Sequence, residues 1–242
     1  HWNAAKQTFG AGDYNKANDN LGEVIRTDNE YTARALPWRL VLLAGMTKGN
    51  SELAEIWENG AGANRTNPTR FRTQANVYRK LGGQLALQFA ETLQKSEAAN
   101  KAQQVTLVMP FPAGSAAEIP QVKRVSSGIL IPEAEADTLE QRVRERAVLL
   151  AACRAVGAPD DPAKAQQVFK SEPLQIDWPV FAAALANSLY DQADLFTNEH
   201  LDRPDRLEYF SKKALELLKA VPDSKEVKSL KANIDKLLKK KR

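Results

Sequence analysis

Five basic side chains, Arg65, Arg70, Arg72, Arg79 and Lys80, gather within one short stretch of this chain. A guanidinium presents its N–H donors as a planar fork, so a cluster of arginines is side-chain chemistry that grips a carboxylate, such as that of a peptide. Arg70, Arg72 and Arg79 do not fall on one helical face, so only the fold can make them act together. Large aromatics supply the other candidate chemistry: Trp38, Trp57 and Tyr78, with Trp178 and Phe181 further along, could line a groove. Each stands beside apolar neighbours on or next to a helical pattern, where core packing is the default.

Catalytic chemistry is sparse. Catalysis needs a nucleophile, an acid or base of tuned pKa, or a metal. The two histidines, His1 and His200, lie at the start of the chain and beside Glu199 at a helix end, with no partner at helical spacing. Cys153 is the only cysteine, which excludes an intramolecular disulfide and any multi-cysteine metal site. Its surroundings, LLAACRAV, read as the apolar part of a helix and hence as an inert, buried thiol. Gly10-Ala11-Gly12 lacks the third glycine and preceding strand of a dinucleotide fingerprint, and the serine of Pro112-Ala113-Gly114-Ser115-Ala116 lacks the flanking glycines of a nucleophile elbow. Glu133, Glu135 and Asp137 open a predicted helix, where carboxylates favour the positive dipole end. Asn64-Arg65-Thr66 matches a glycosylation sequon, a tripeptide that also arises by chance. The expectation is a protein that is not an enzyme and has no metal and no cofactor.

Composition narrows the class further. Hydrophobic residues at 43% and charged residues at 26% are those of a folding chain, not a disordered one. The formal charge is +4, and removing Lys239, Lys240, Lys241 and Arg242 leaves 30 basic and 30 acidic residues. A neutral body with a basic C-terminal end gives no reason to expect nucleic acid; cations there complement a helix dipole. No stretch approaches the roughly 18 apolar residues of a membrane span. The chain begins at His1 without methionine, so the removal of something upstream is expected, a signal peptide, a lipid-anchor segment, a neighbouring domain or a tag, with a periplasmic or outer-surface location and the cytoplasm as the alternative.

The elements that must position these residues are helical. Residues 1–26 read as two short helices around Gly12-Asp13: Ala5 and Phe9 share one face, and Ala17, Leu21, Val24 and Ile25 form a stripe. A second unit runs from Thr32 to Gly62, with Lys48-Gly49-Asn50-Ser51 as its turn and Ala44, Gly45 and Ala54 as points of close backbone approach. A third spans Pro68 to Lys95, broken at Gly82-Gly83. Turns near residues 12, 49 and 82 give a period in the mid-thirties, which is the period of stacked helical repeats.

Ala5, Phe9, Gly12-Asp13-Tyr14, Ala17 and Leu21 stand at offsets that resemble the tetratricopeptide repeat family. The second unit keeps Gly49-Asn50, Ala54 and Ala61 but places Glu58 where a large apolar residue belongs, and the third is looser. The resemblance covers about the first 95 residues, with an echo in YFSKKALELLKAVPDS near the C-terminus. It implies antiparallel helix pairs stacked as a short solenoid that binds a protein or peptide.

Between the helical parts, residues 105–132 hold four prolines and two β-branched runs, Val105 to Val108 and Ile129 to Ile131, and read as an inserted loop or β-like hairpin. Helix returns from Ala136 to Val156, briefly from Asp161 to Phe169, then, after a break at Pro173 to Pro179, from Val180 to Phe196, Asp205 to Ala220 and Ser224 to Lys240. The organisation expected is all-α: repeats over 1–100, an insertion over 101–135 and helical repeats over 136–242. The function expected is a non-enzymatic protein- or peptide-binding scaffold of a bacterial envelope complex; the alternative is a small-molecule-binding protein whose apolar cavity is lined by tryptophans.

Overall fold

A computed structural model describes residues 1–63, 67–99, 104–110, 133–158, 173–197, 201 and 203–240. The chain is all-α: the described residues form eight α-helices, one short 3-10 turn and a single two-stranded sheet.

Helices α1 (Trp2–Gly10) and α2 (Tyr14–Arg26) make the hairpin that the first 26 residues predict. Gly12 closes it with φ of 76°, a left-handed conformation that costs glycine nothing. The Asp13 carboxylate accepts the Lys16 backbone N–H at 3.2 Å and caps α2. Ala5, Phe9, Ala17 and Leu21 are all buried, and the Tyr14 ring meets that of Phe9 edge-on at 5.3 Å.

Helices α3 (Thr32–Ala63) and α4 (Pro68–Ala99) are long and uninterrupted. They run antiparallel: along α3, Glu58, Asn50 and Arg39 lie in turn against Arg79, Gly82 and Gln88 of α4. Apart from the half-buried Arg39, every residue of α3 from Ala35 to Leu43 is buried, since α2, α4, β1 and the later helices pack around it. A helix apolar on all sides belongs at the centre of a domain.

The turns expected at Gly49 and at Gly82-Gly83 are absent, and the glycines have another cause. Helix α5 (Glu133–Ala155) crosses α3 so closely that a β carbon on Gly45 would stand 2.5 Å from the Val148 Cα, and one on Gly49 would stand 3.2 Å from the Arg144 Cα. Gly82 meets Leu195 and Asn50, and Gly83 meets Leu201. A mid-helix glycine costs about 1 kcal/mol relative to alanine; at Gly45 and Gly49 the close approach of α5 offsets it. The mid-thirties period therefore marks crossings as well as turns: only the first of the three expected turns reverses the chain.

Strand β1 (Gln104–Leu107) begins the expected insertion, but its partner is β2 (Leu174–Asp177), antiparallel with Val105 opposite Ile176. The stretch read as a break from Pro173 to Pro179 is thus that strand followed by the start of α6 (Trp178–Leu195). Val105, Leu107, Val108 and Met109 are buried, so the entry to the insertion is part of the core. Ile129 to Ile131, the helix expected over 161–169, Arg65 with its sequon, and His200 lie outside the described residues.

Helix α7 (Pro204–Leu217) tightens into a 3-10 turn over Leu218–Ala220, and Ser224 caps α8 (Lys225–Lys240) by accepting the Val227 N–H at 3.1 Å. One core cluster draws side chains from α1 through α8, including Ala5, Trp38, Phe89, Val148, Phe181, Phe210 and Ile234. A smaller one joins Leu53, Ala54, Tyr78 and Val143, with Trp57 and Leu139 against it. Among the described residues, no helix is long and apolar enough to cross a membrane.

Candidate functional site

Two arginines of the cluster read from the sequence, Arg72 and Arg79, face a carboxylate of their own chain. Arg79, its side chain 12% exposed, donates to Glu58 Oε2 at 3.0 Å and to Asn76 Oδ1 at 3.0 Å. The Arg72 Nε lies 4.0 Å from the other oxygen of the same carboxylate. Glu58, the residue that departs from the repeat pattern, therefore sits between two guanidiniums and ties α3 to α4. Arg70 is exposed at the start of α4, where its backbone N–H donates to Asn67 Oδ1 at 3.3 Å.

The aromatics are likewise packed. Trp38 is fully buried, with the rings of Trp2 and Phe9 edge-on at 5.4 and 5.6 Å. Tyr78 is buried in the smaller cluster, and half-buried Trp57 leans on Phe71 at 5.4 Å. Phe181 is buried and Trp178 packs partly buried beside it. Arg72 and Arg79 come together around Glu58, but Arg70, Arg72, Arg79, Trp38, Trp57 and Tyr78 do not converge on one surface, since Trp38 and Tyr78 are buried in separate clusters.

A polar cluster that the sequence reading passed over lies between α2, α3 and α4. The Arg39 Nε donates to Asn18 Oδ1 at 3.0 Å, Nη1 to Thr92 Oγ1 and Nη2 to Gln88 Oε1, each at 3.3 Å, while Asn18 Nδ2 donates to Gln88 Oε1 at 2.9 Å. The guanidinium lies against Gly22, whose missing side chain leaves it room. Burial pulls the Arg39 pKa below its ordinary value, against the opposing charges of Glu91 and Asp19. Its signal was available: Arg39 is the one charge in ALPWRLVLLAGM.

Charges also bridge α3, α5 and α6. Asp191 stands 3.8 Å from Lys48 and 3.6 Å from Arg154, and Arg146 donates to Glu52 at 3.3 Å. Burial raises the Glu52 pKa despite Arg146 and Lys48.

Two openings are lined by described residues throughout. The smaller, about 260 Å³, lies where the Gly12-Asp13-Tyr14 turn meets α5, beside Met46, Glu140, Gln141 and Arg144. Its charges are already matched: Asp13 pairs with Lys16 at 2.8 Å and Arg144 with Glu140 at 3.5 Å. The Tyr14 hydroxyl is buried there without a hydrogen-bond partner, and burial, with Glu145 adding, pushes its pKa up.

The larger opening, about 600 Å³, lies between the end of α5, α6, the 3-10 turn and α8. Val180, Ala183 and Ala184 of α6 face Leu218, Val221, Val227 and Leu230 across it. Arg154 and Asn187 supply polar groups at one side, and exposed Val180, Pro222 and Glu226 mark its mouth. No tryptophan lines it. Alanines and valines at ordinary helical spacing carry no signal of a pocket, because the same residues fill cores. Among the described residues, no group of three or more histidines, cysteines and carboxylates is placed to hold a metal.

The class that fold and site define is thus an all-α protein with an apolar pocket open to solvent at its C-terminal end. No protein-family model, curated protein or solved structure matches the chain.

Proposed function

We propose that this protein is a non-enzymatic helical scaffold that binds an apolar segment of a protein partner in the pocket between α5, α6 and α8. The observation that supports this reading is the combination of an apolar floor with an exposed mouth: Ala183, Ala184, Val227 and Leu230 line the pocket, while Val180, Pro222 and Glu226 reach solvent. An open apolar trough suits side chains presented by a polypeptide, whose backbone stays at the rim. The Arg154 side chain, 40% exposed, offers guanidinium donors to a carbonyl or carboxylate of that segment beyond its contact with Asp191. The resemblance of α1 and α2 to a peptide-binding repeat points the same way.

A second reading rests on volume alone: about 600 Å³ falls within the range of small-molecule sites. One experiment separates the two. A photo-cross-linking residue at Val180, with one at exposed Val77 on α4 as control, would be activated in intact cells. The proposal expects one discrete protein adduct, specific to position 180 and abolished by Ala183→Phe. A lipid or metabolite adduct at 180 transfers the site to the second reading, and equal labelling at 77 and 180 overturns both.

A further inference from the structure

The positive charge of this molecule is concentrated in its C-terminal stretch. From 225 to 242 the chain has eight basic and two acidic residues, which leaves 26 basic against 28 acidic residues in the remainder. The C-terminal stretch is therefore at +6 and everything before it at −2. Helix α8 sorts that charge by face. Val227, Leu230, Ile234 and Leu237 are buried against the body, at the spacing of a docked helix. At 100° per residue, Lys225, Lys228, Lys236 and Lys239 fall on the opposite side, and all four are exposed. Lys231, on the flank, is paired with Asp223 at 3.1 Å, a carboxylate that also feels the charge of Lys228; among the described residues no carboxylate stands within ion-pair distance of Lys225, Lys228, Lys236 or Lys239. Asp235 is the one acid on that side.

We infer that the outer face of α8 is a docking surface for an anionic lipid bilayer. The lysines form a straight line about 20 Å long, and a straight line of charge meets a plane better than a curved groove. On the apolar side of α8, Ile234 and Leu237 are buried in the core and Val227 and Leu230 line the pocket, all turned away from the lysines, so the helix adsorbs through charge alone and inserts nothing between acyl chains. Lysine is a compact point charge without the fork that reads a base edge, and no aromatic stands in α8 to stack on a base. The slightly acidic remainder favours one-sided contact over wrapping by a polyanion.

The test is sedimentation of the full chain with vesicles of phosphatidylglycerol and phosphatidylcholine, against vesicles of phosphatidylcholine alone. Binding is expected only to the anionic vesicles, and raising the salt to about 0.5 M should release the protein, because charges across a wet interface are then screened within a few Å. Each lysine near such a surface changes partitioning about fivefold, so the variant Lys225→Gln, Lys228→Gln, Lys236→Gln, Lys239→Gln should lose it by more than a hundredfold. The control Lys80→Gln, Lys95→Gln, both exposed on α4, should bind as before. Circular dichroism of each variant checks that the helices are retained. Equal binding to both vesicle types, retained binding by the quadruple variant, or capture by duplex DNA in preference to anionic vesicles would overturn the inference.

Discussion

The crossing of α3, α4 and α5 and the corner made by α6, the 3-10 turn and α8 are built from similar helices with opposite results. In the first, Gly45 and Gly49 bring backbones nearly into contact, and Arg39, Arg79 and Glu58 stitch what lies between. In the second, alanines and valines face one another across about 600 Å³ of open space. The residues of most suggestive chemistry thus hold the fold together, while unremarkable aliphatic residues form the opening. Cationic and aromatic side chains make strong, directional contacts, which a chain uses wherever helices must lock.

The contrast breaks most readily at the crossing. Trp38→Ala, at a fully buried site ringed by aromatics, should destabilise the protein by about 3–5 kcal/mol, measured by urea unfolding. A loss of under 1 kcal/mol would return Trp38 to the candidate binding residues. Gly45→Ala should cost about 1–3 kcal/mol, since its β carbon meets the backbone of α5. Gly82→Ala should instead stabilise by up to about 1 kcal/mol, because its β carbon would meet Leu195, Asn50 and Thr47 no closer than 3.4 Å, an ordinary contact, and alanine favours helix. If both glycines served turns, both changes would destabilise. Glu58→Ala leaves Arg79 without its carboxylate and should cost about 1–2 kcal/mol, whereas Arg70→Ala at its exposed site should stay within about 0.5 kcal/mol.

A further small effect is one of pH. The folded-state pKa of Glu52 is raised, so the native state holds that proton more tightly than the unfolded chain, and the stability this confers is gained as pH falls through the folded pKa. Glu52→Gln should therefore be at least as stable as the parent at pH 7, by less than about 1 kcal/mol, with the difference closing in acid. Thermal melts across that range measure it; a variant less stable at neutral pH would mean that the pair with Arg146 outweighs burial.

The limits of the helices were largely legible. Thr32 and Pro68 begin α3 and α4 where the apolar pattern begins, and Gly12-Asp13 makes its turn through a glycine conformation and a local cap. Gly49 and Gly82 were legible only as glycines: whether a glycine ends a helix or admits a neighbour depends on what lies against it, here Arg144 and Leu195, distant in sequence. The pairing of β1 with Leu174–Asp177 is non-local for the same reason, since nothing in either four-residue stretch names its partner. The candidate pocket was not read at all.

By itself the sequence determined that this chain is helical, where most of its helices begin and end, that one charge lies in the apolar run of α3, and that basic residues collect at the C-terminus. Those are consequences of period, capping and composition, which act over a few residues. Tertiary structure decided which arginines face glutamate, which glycines are crossings and which alanines face empty space. Each of these depends on distances between segments far apart in the chain, and so appears only when the helices are packed.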